Sequence, residues 1–78
     1  MDFSDALRAL KDGKRVARAG WNGKGMWLLL APGGLVSGYD GRDMEAQPYV
    51  GMKTAQGTWV PWLCSQTDLL ADDWQVVE

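Results

Sequence analysis

Histidine is absent from the 78 residues and cysteine occurs once, at Cys64. The first absence removes the imidazole base, the Ser-His and Cys-His nucleophile pairs and the usual zinc site. The second removes any intrachain disulfide, and no Cys or His cluster offers a metal-ligand spacing. Catalysis would have to rest on carboxylates, Lys or Tyr. Long apolar runs are missing too: residues 26–31 (MWLLLA) meet Pro32, Gly33 and Gly34 at once, far short of the ~20 residues of a helical membrane span. No basic-then-apolar leader opens the sequence, and a lone Cys suits a reducing compartment, so a cytoplasmic location is expected.

Positive charge is also scarce, with eight Lys and Arg against ten Asp and Glu for a net charge of -2. That balance disfavours general DNA or RNA binding, which needs an excess of cations for phosphate. The charge is unevenly spread. Residues 1–26 carry six cations against three acids, whereas the remainder carries Arg42 and Lys53 against seven acids. Two readings fit: oppositely charged ends that pair within or between subunits, and a local anion site.

A mass of 8.6 kDa allows a single domain spanning residues 1–78. Folding would hide about 7,800 Å² of an extended ~12,500 Å². If roughly 60% of that is apolar, burial contributes about 115 kcal/mol against about 117 kcal/mol of ordering entropy. Chains in this position add disulfides, a metal or self-association, and composition removes the first two. A homo-oligomer is expected.

Residues 3–12 read as a helix, with Ser4 as cap, Leu7 and Leu10 on one face and Gly13 as its end. Residues 14–19 alternate as a short strand, and 20–25, with three Gly, form a loop. Residues 26–31 suit a strand buried on both faces, one of them by a subunit. Residues 35–48 mix Gly, Pro and charge and read as a long loop. Residues 49–54 and 58–62 read as an antiparallel pair around a turn, with Pro61 at an edge or strand end. Ser65 or Thr67 caps a short helix near Asp68, Asp72 and Asp73 form a solvated helix end, and 74–77 close the sheet. The fold class is α+β: a small antiparallel sheet with an N-terminal helix and a short second helix.

What the chain has in excess is tryptophan, with five Trp against two Tyr and one Phe. A buried indole needs a partner for its N–H, whereas its face stacks on flat or cationic ligands. Trp27, Trp59 and Trp74 lie in strand-like runs and are assigned to the core. Trp21, between Gly20 and Asn22-Gly23, and Trp62, after Pro61, lie where a side chain can face a cleft. The segment Gly23-Lys24-Gly25 exposes backbone N–H beside a cation, but it lacks the spacing of a P-loop and serves equally as a Gly-rich hairpin. Ser65, Gln66, Thr67 and Asp68 gather hydrogen-bonding groups at a helix start, as a cap and as a ligand site alike. Cys64 has no neighbouring base and reads as a small buried hydrophobe.

Taken together, GWNGKGMWL at 20–28, PYVGMKT at 48–54 and VPWLCSQTDLLADDWQVV at 60–77, behind DFSDALRAL, resemble the second class of phage Thoeris anti-defence proteins. The resemblance runs from Phe3 to Val77. It implies a sponge and not an enzyme: such proteins bind cyclic ADP-ribose isomers made by bacterial TIR-domain immune enzymes and hold them intact, and some also hold cyclic dinucleotides. It further implies homotetramers with pockets shared between subunits; no cofactor is expected, and the lack of a long apolar run argues against a membrane partner. Trp21 and Asn22 match the family's loop motif, and Trp62, Ser65, Thr67 and Asp68 its second motif, so these are the implied ligand-binding residues. Arg18 and Lys24 join them on physical grounds, because a ligand with two phosphates needs cations and these two flank Trp21. In this scheme Thr67 or Asp68 meets a ribose hydroxyl while Arg18 or Lys24 meets the pyrophosphate. Residues 35–47 match least. A protein that inhibits a host protein by direct contact, using exposed Trp and Met as hot spots, and a small nucleotide hydrolase are the competing classes.

Overall fold

The structure is a computed structural model describing residues 1–22, 24–38 and 40–78. Helix α1 (Phe3–Lys11) begins two residues before Ser4 would allow, because Asp2 is its cap and accepts from the Asp5 N–H at 3.0 Å. Starting there puts Phe3, Ala6, Leu7 and Leu10 on one face by helical spacing, and Ala6 and Leu10 are wholly buried. Phe3 is thus the first helical residue.

Strands β1 (Arg15–Arg18), β2 (Trp27–Ala31), β5 (Tyr49–Lys53), β6 (Trp59–Pro61) and β7 (Trp74–Val77) make a five-stranded antiparallel sheet in the order β6-β5-β2-β1-β7. Pro61 ends an edge strand, as its missing N–H requires. Residues 35–48 depart from the loop expectation. β3 (Gly34–Ser37) and β4 (Asp43–Ala46) pair as a separate hairpin, with Val36 opposite Met44 and Leu35 opposite Glu45. Its turn is closed by the Gly38 N–H donating to the Arg42 carbonyl at 2.7 Å, and Gly41 takes a φ of 79°. Tyr39, which belongs to that segment, lies outside the described residues.

Register fixes the two faces of the main sheet. Val16, Leu28, Leu30, Val50 and Met52 share the face that packs under α1, where with Trp74 they form the core. Helix α2 (Gln66–Leu69) attaches to the same side, since the Trp74 indole N–H donates to the Asp68 carbonyl at 2.9 Å. The opposite face presents Trp27, Leu29, Ala31, Tyr49 and Trp59. Trp59 therefore leaves the core assigned to it: it is 42% exposed, sits 6.2 Å from the Trp27 ring and donates its indole N–H to the Tyr49 hydroxyl. Gly51 makes this possible, because a Cβ there would run into the Trp59 ring. Arg15 lies over Trp27 at 5.0 Å.

Candidate functional site

Trp74, 2% exposed, is the hub on which the two tryptophan-bearing segments meet. Trp21 packs edge-on against it at 5.4 Å and 78°, and Trp62 does so at 5.9 Å and 85°. Phe3 closes the cluster at 5.7 Å from Trp62 and 5.4 Å from Trp74. Trp21 and Trp62 are thus half-buried, packed against the core. The chain reaches Trp21 through a 3-10 turn (Ala19–Trp21) that ends on Asn22 at φ 58°. Asn22 is exposed, and its type suits the left-handed backbone there.

Arg18 lies between the segments. Its Nε donates to Asp73 Oδ1 at 2.8 Å, its Nη2 to Asp73 Oδ2 at 3.4 Å, and its Nη1 to Asp68 Oδ1 at 2.8 Å. The side chain is only 17% exposed. Asp73 Oδ2 also accepts from the Gly20 N–H at 2.8 Å. The hydrogen bonds from Arg18, then that from Gly20, hold the Asp73 carboxyl below its usual range, and the two carboxylates raise Arg18 above its own. Asp73 is thus not the solvated helix end expected of it, although the neighbouring Asp72 is exposed.

The candidate residues divide accordingly. Arg18, Trp21 and Lys24 line a cavity of about 200 Å³ with Trp27, Gln75 and Val77. Lys24 is exposed and makes no ion pair among the described residues. The loop beside it is tethered by Lys53, whose Nζ donates to the Gly25 carbonyl at 2.8 Å. Gly23, part of the proposed phosphate loop, lies outside the described residues. Ser65, Thr67 and Asp68 do not line this cavity. Ser65 Oγ accepts from the Asp68 N–H at 3.1 Å and so caps α2, Thr67 is exposed, and Asp68 is committed to Arg18. Cys64 is exposed and not buried as expected; partial burial and the nearby Asp68 charge still push its thiol pKa up.

Sequence reasoning missed Trp27, Gln75 and Val77 as lining residues and Asp73 as a partner of Arg18. Strand alternation carried the signal for the first three, since Trp27, Gln75 and Val77 share one sheet face with Ala17. Nothing local distinguishes Asp73 from Asp72. Two larger concavities lie on the hairpin, one of about 560 Å³ between Gly33 and Pro48 whose charged lining residue is Glu45, and one of about 310 Å³ at Val36 and Met44. Among the described residues, neither is lined by a cation.

This α+β chain, with Trp21, Trp62 and Trp74 gathered at the junction of two loop segments, matches over residues 1–77 the family described as the Thoeris anti-defense 2-like domain. The chain belongs to that family and is a Thoeris anti-defence protein. It is 39% identical over 84 aligned positions to Thoeris anti-defense 2 of Bacillus phage SP01, an alignment covering 99% of this chain and 94% of the phage protein.

Proposed function

We propose that the protein sequesters a cyclic ADP-ribose isomer, or a related cyclic nucleotide, without cleaving it. The observation that carries this reading is the placement of half-buried Trp21 and exposed Lys24, which makes no ion pair among the described residues, in the lining of one cavity. An indole face and a cation supply what a purine and a phosphate ask for. The cavity's 200 Å³ is below the ~300 Å³ at which drug-sized sites begin, so one chain offers a partial site. A second copy completing it agrees with the expected homotetramer and its shared pockets. Asn22 is next to Trp21 and exposed, so its amide can add a polar contact. The carboxylates in contact with the lining residue Arg18, Asp68 and Asp73, are both held in its ion pairs, which favours binding over hydrolysis.

Incubation with a cyclic ADP-ribose isomer, removal of free ligand, heat release and chromatography test the proposal. Sequestration returns the intact molecule, hydrolysis returns a product, and an inhibitor of a host protein returns nothing. That last reading keeps one observation in its favour: Leu63 and Leu70, 91% and 79% exposed, flank α2 as unpartnered apolar groups.

A further inference from the structure

Arg18 stands beside the proposed ligand cavity, yet its guanidinium is already spoken for. Three of its nitrogens donate to two carboxylates, from Asp68 on α2 and from Asp73 just before β7. The cluster carries one positive and two negative charges, so a phosphate arriving at Arg18 would meet a locally anionic group. Asp73 in turn fixes the segment that follows Arg18: its carboxylate accepts from the Gly20 N–H at 2.8 Å and its carbonyl from the Ala19 N–H at 3.0 Å. A Cβ at Gly20 would lie 3.0 Å from Asp73 Oδ2 and 3.3 Å from Arg18 Nη2, so the approach is close enough to favour glycine. Asp68 is tied to the hub as well, through its carbonyl and the Trp74 indole.

We infer that Arg18 is a positioning residue: with Asp73 it clamps the 3-10 turn bearing Trp21 and the capped turn of α2 into one fixed relation, leaving the anion contact to Lys24. A single guanidinium joins α2, which belongs to no strand of the sheet, to the paired ends of β1 and β7 from which the Trp21 turn departs. The inference rests on the proposed function only for the word ligand, since the clamp itself is a property of the free protein.

The test separates the two. In 15N-labelled protein, Arg18→Gln and Asp73→Asn should each move the Trp21 and Trp74 indole N–H resonances and the Gly20 amide, and Arg18→Lys should restore part of the parent pattern by holding one carboxylate. Lys24→Gln should leave these resonances in place. Binding of a cyclic ADP-ribose isomer, measured by calorimetry at two salt concentrations, should fall at least tenfold for Arg18→Gln with its salt dependence kept, and flatten in salt for Lys24→Gln. If Arg18→Gln leaves the indole signals unmoved and flattens the salt dependence, Arg18 is an anion ligand and the inference is overturned. Should Arg18→Gln fail to fold, Asp73→Asn decides alone: unmoved Gly20 and Trp21 signals overturn the clamp. If the parent binds no cyclic nucleotide, the functional reading fails while the resonances still decide the clamp.

Discussion

Asn22 has two claims on it, one from the backbone and one from a ligand. At φ 58° it occupies the left-handed region, where a Cβ costs roughly 1 to 2 kcal/mol and Asn and Gly are favoured. Asn22→Gly should therefore leave stability within a few tenths of a kcal/mol, while Asn22→Ala should lower it by about 1 kcal/mol in urea titration. If the amide also touches ligand, both variants lose affinity; if only Asn22→Ala does, the role is conformational. Asp73 gives a pH signature. Its folded pKa lies below the ordinary value, so its contribution to stability is present above roughly pH 4 and is lost as pH falls through the folded value. Acid unfolding followed by circular dichroism should shift less with pH in Asp73→Asn than in the parent, and an identical profile would show that the carboxylate does not carry the effect. At this scale the sequence was informative about types and poor about partners. That Trp74 belongs to the core could be read from its strand-like run, but whether Asp72 or Asp73 meets Arg18 depends on how the chain turns into β7, more than 50 residues from Arg18 in the sequence.

Elements were more legible where one face is buried. The periodicity of Phe3, Ala6, Leu7 and Leu10 identifies α1, and the apolar run at β2 and the Pro61 edge strand follow from pattern alone. Asp and Ser cap equally well, so the local sequence does not choose between Asp2 and Ser4, and the burial of the face carrying Ala6 and Leu10 selects the start at Asp2. Asp2→Ala should cost about 1 kcal/mol and Ser4→Ala less than about 0.5 kcal/mol by denaturant titration; the reverse order would return the cap to Ser4. The β3–β4 hairpin was illegible for a physical reason. Its strands have no buried face: Leu35, Val36 and Met44 are 74%, 48% and 51% exposed, and without burial on one side no alternation is imposed on the sequence. A two-stranded ribbon of this kind is marginal alone in water.

The whole molecule is larger than its mass warrants. Its accessible surface of 5513 Å² exceeds by about 800 Å² the ~4,700 Å² typical of a compact monomer of 8.6 kDa, and its radius of gyration of 13.7 Å exceeds the ~11.5 Å of a compact 78-residue domain. That excess is about what one partner contributes to a standard interface. It is also apolar where it matters, since Trp27, Leu29, Ala31, Tyr49 and Trp59 line a sheet face opposite both helices. With seven hydrophobic residues buried among the described ones, the chain should gain much of its stability from association. Light scattering at low micromolar concentration should give a mass near four times 8.6 kDa, and the thermal midpoint should rise with protein concentration, as it must when folding and assembly are linked. Leu29→Asp tests the surface itself. Leu29 points away from α1, so a carboxylate there leaves the core of Ala6, Leu10, Val16 and Leu28 intact but places a charge in the face to be covered. The variant should remain folded by circular dichroism, scatter as a smaller species and lose affinity for a cyclic ADP-ribose isomer although Trp21 and Lys24 are untouched. A parent protein that is a stable monomer, or a Leu29→Asp variant of unchanged mass, would remove this face from the assembly, and affinity retained by a monomeric variant would mean that the cavity at Trp21 is complete within one chain.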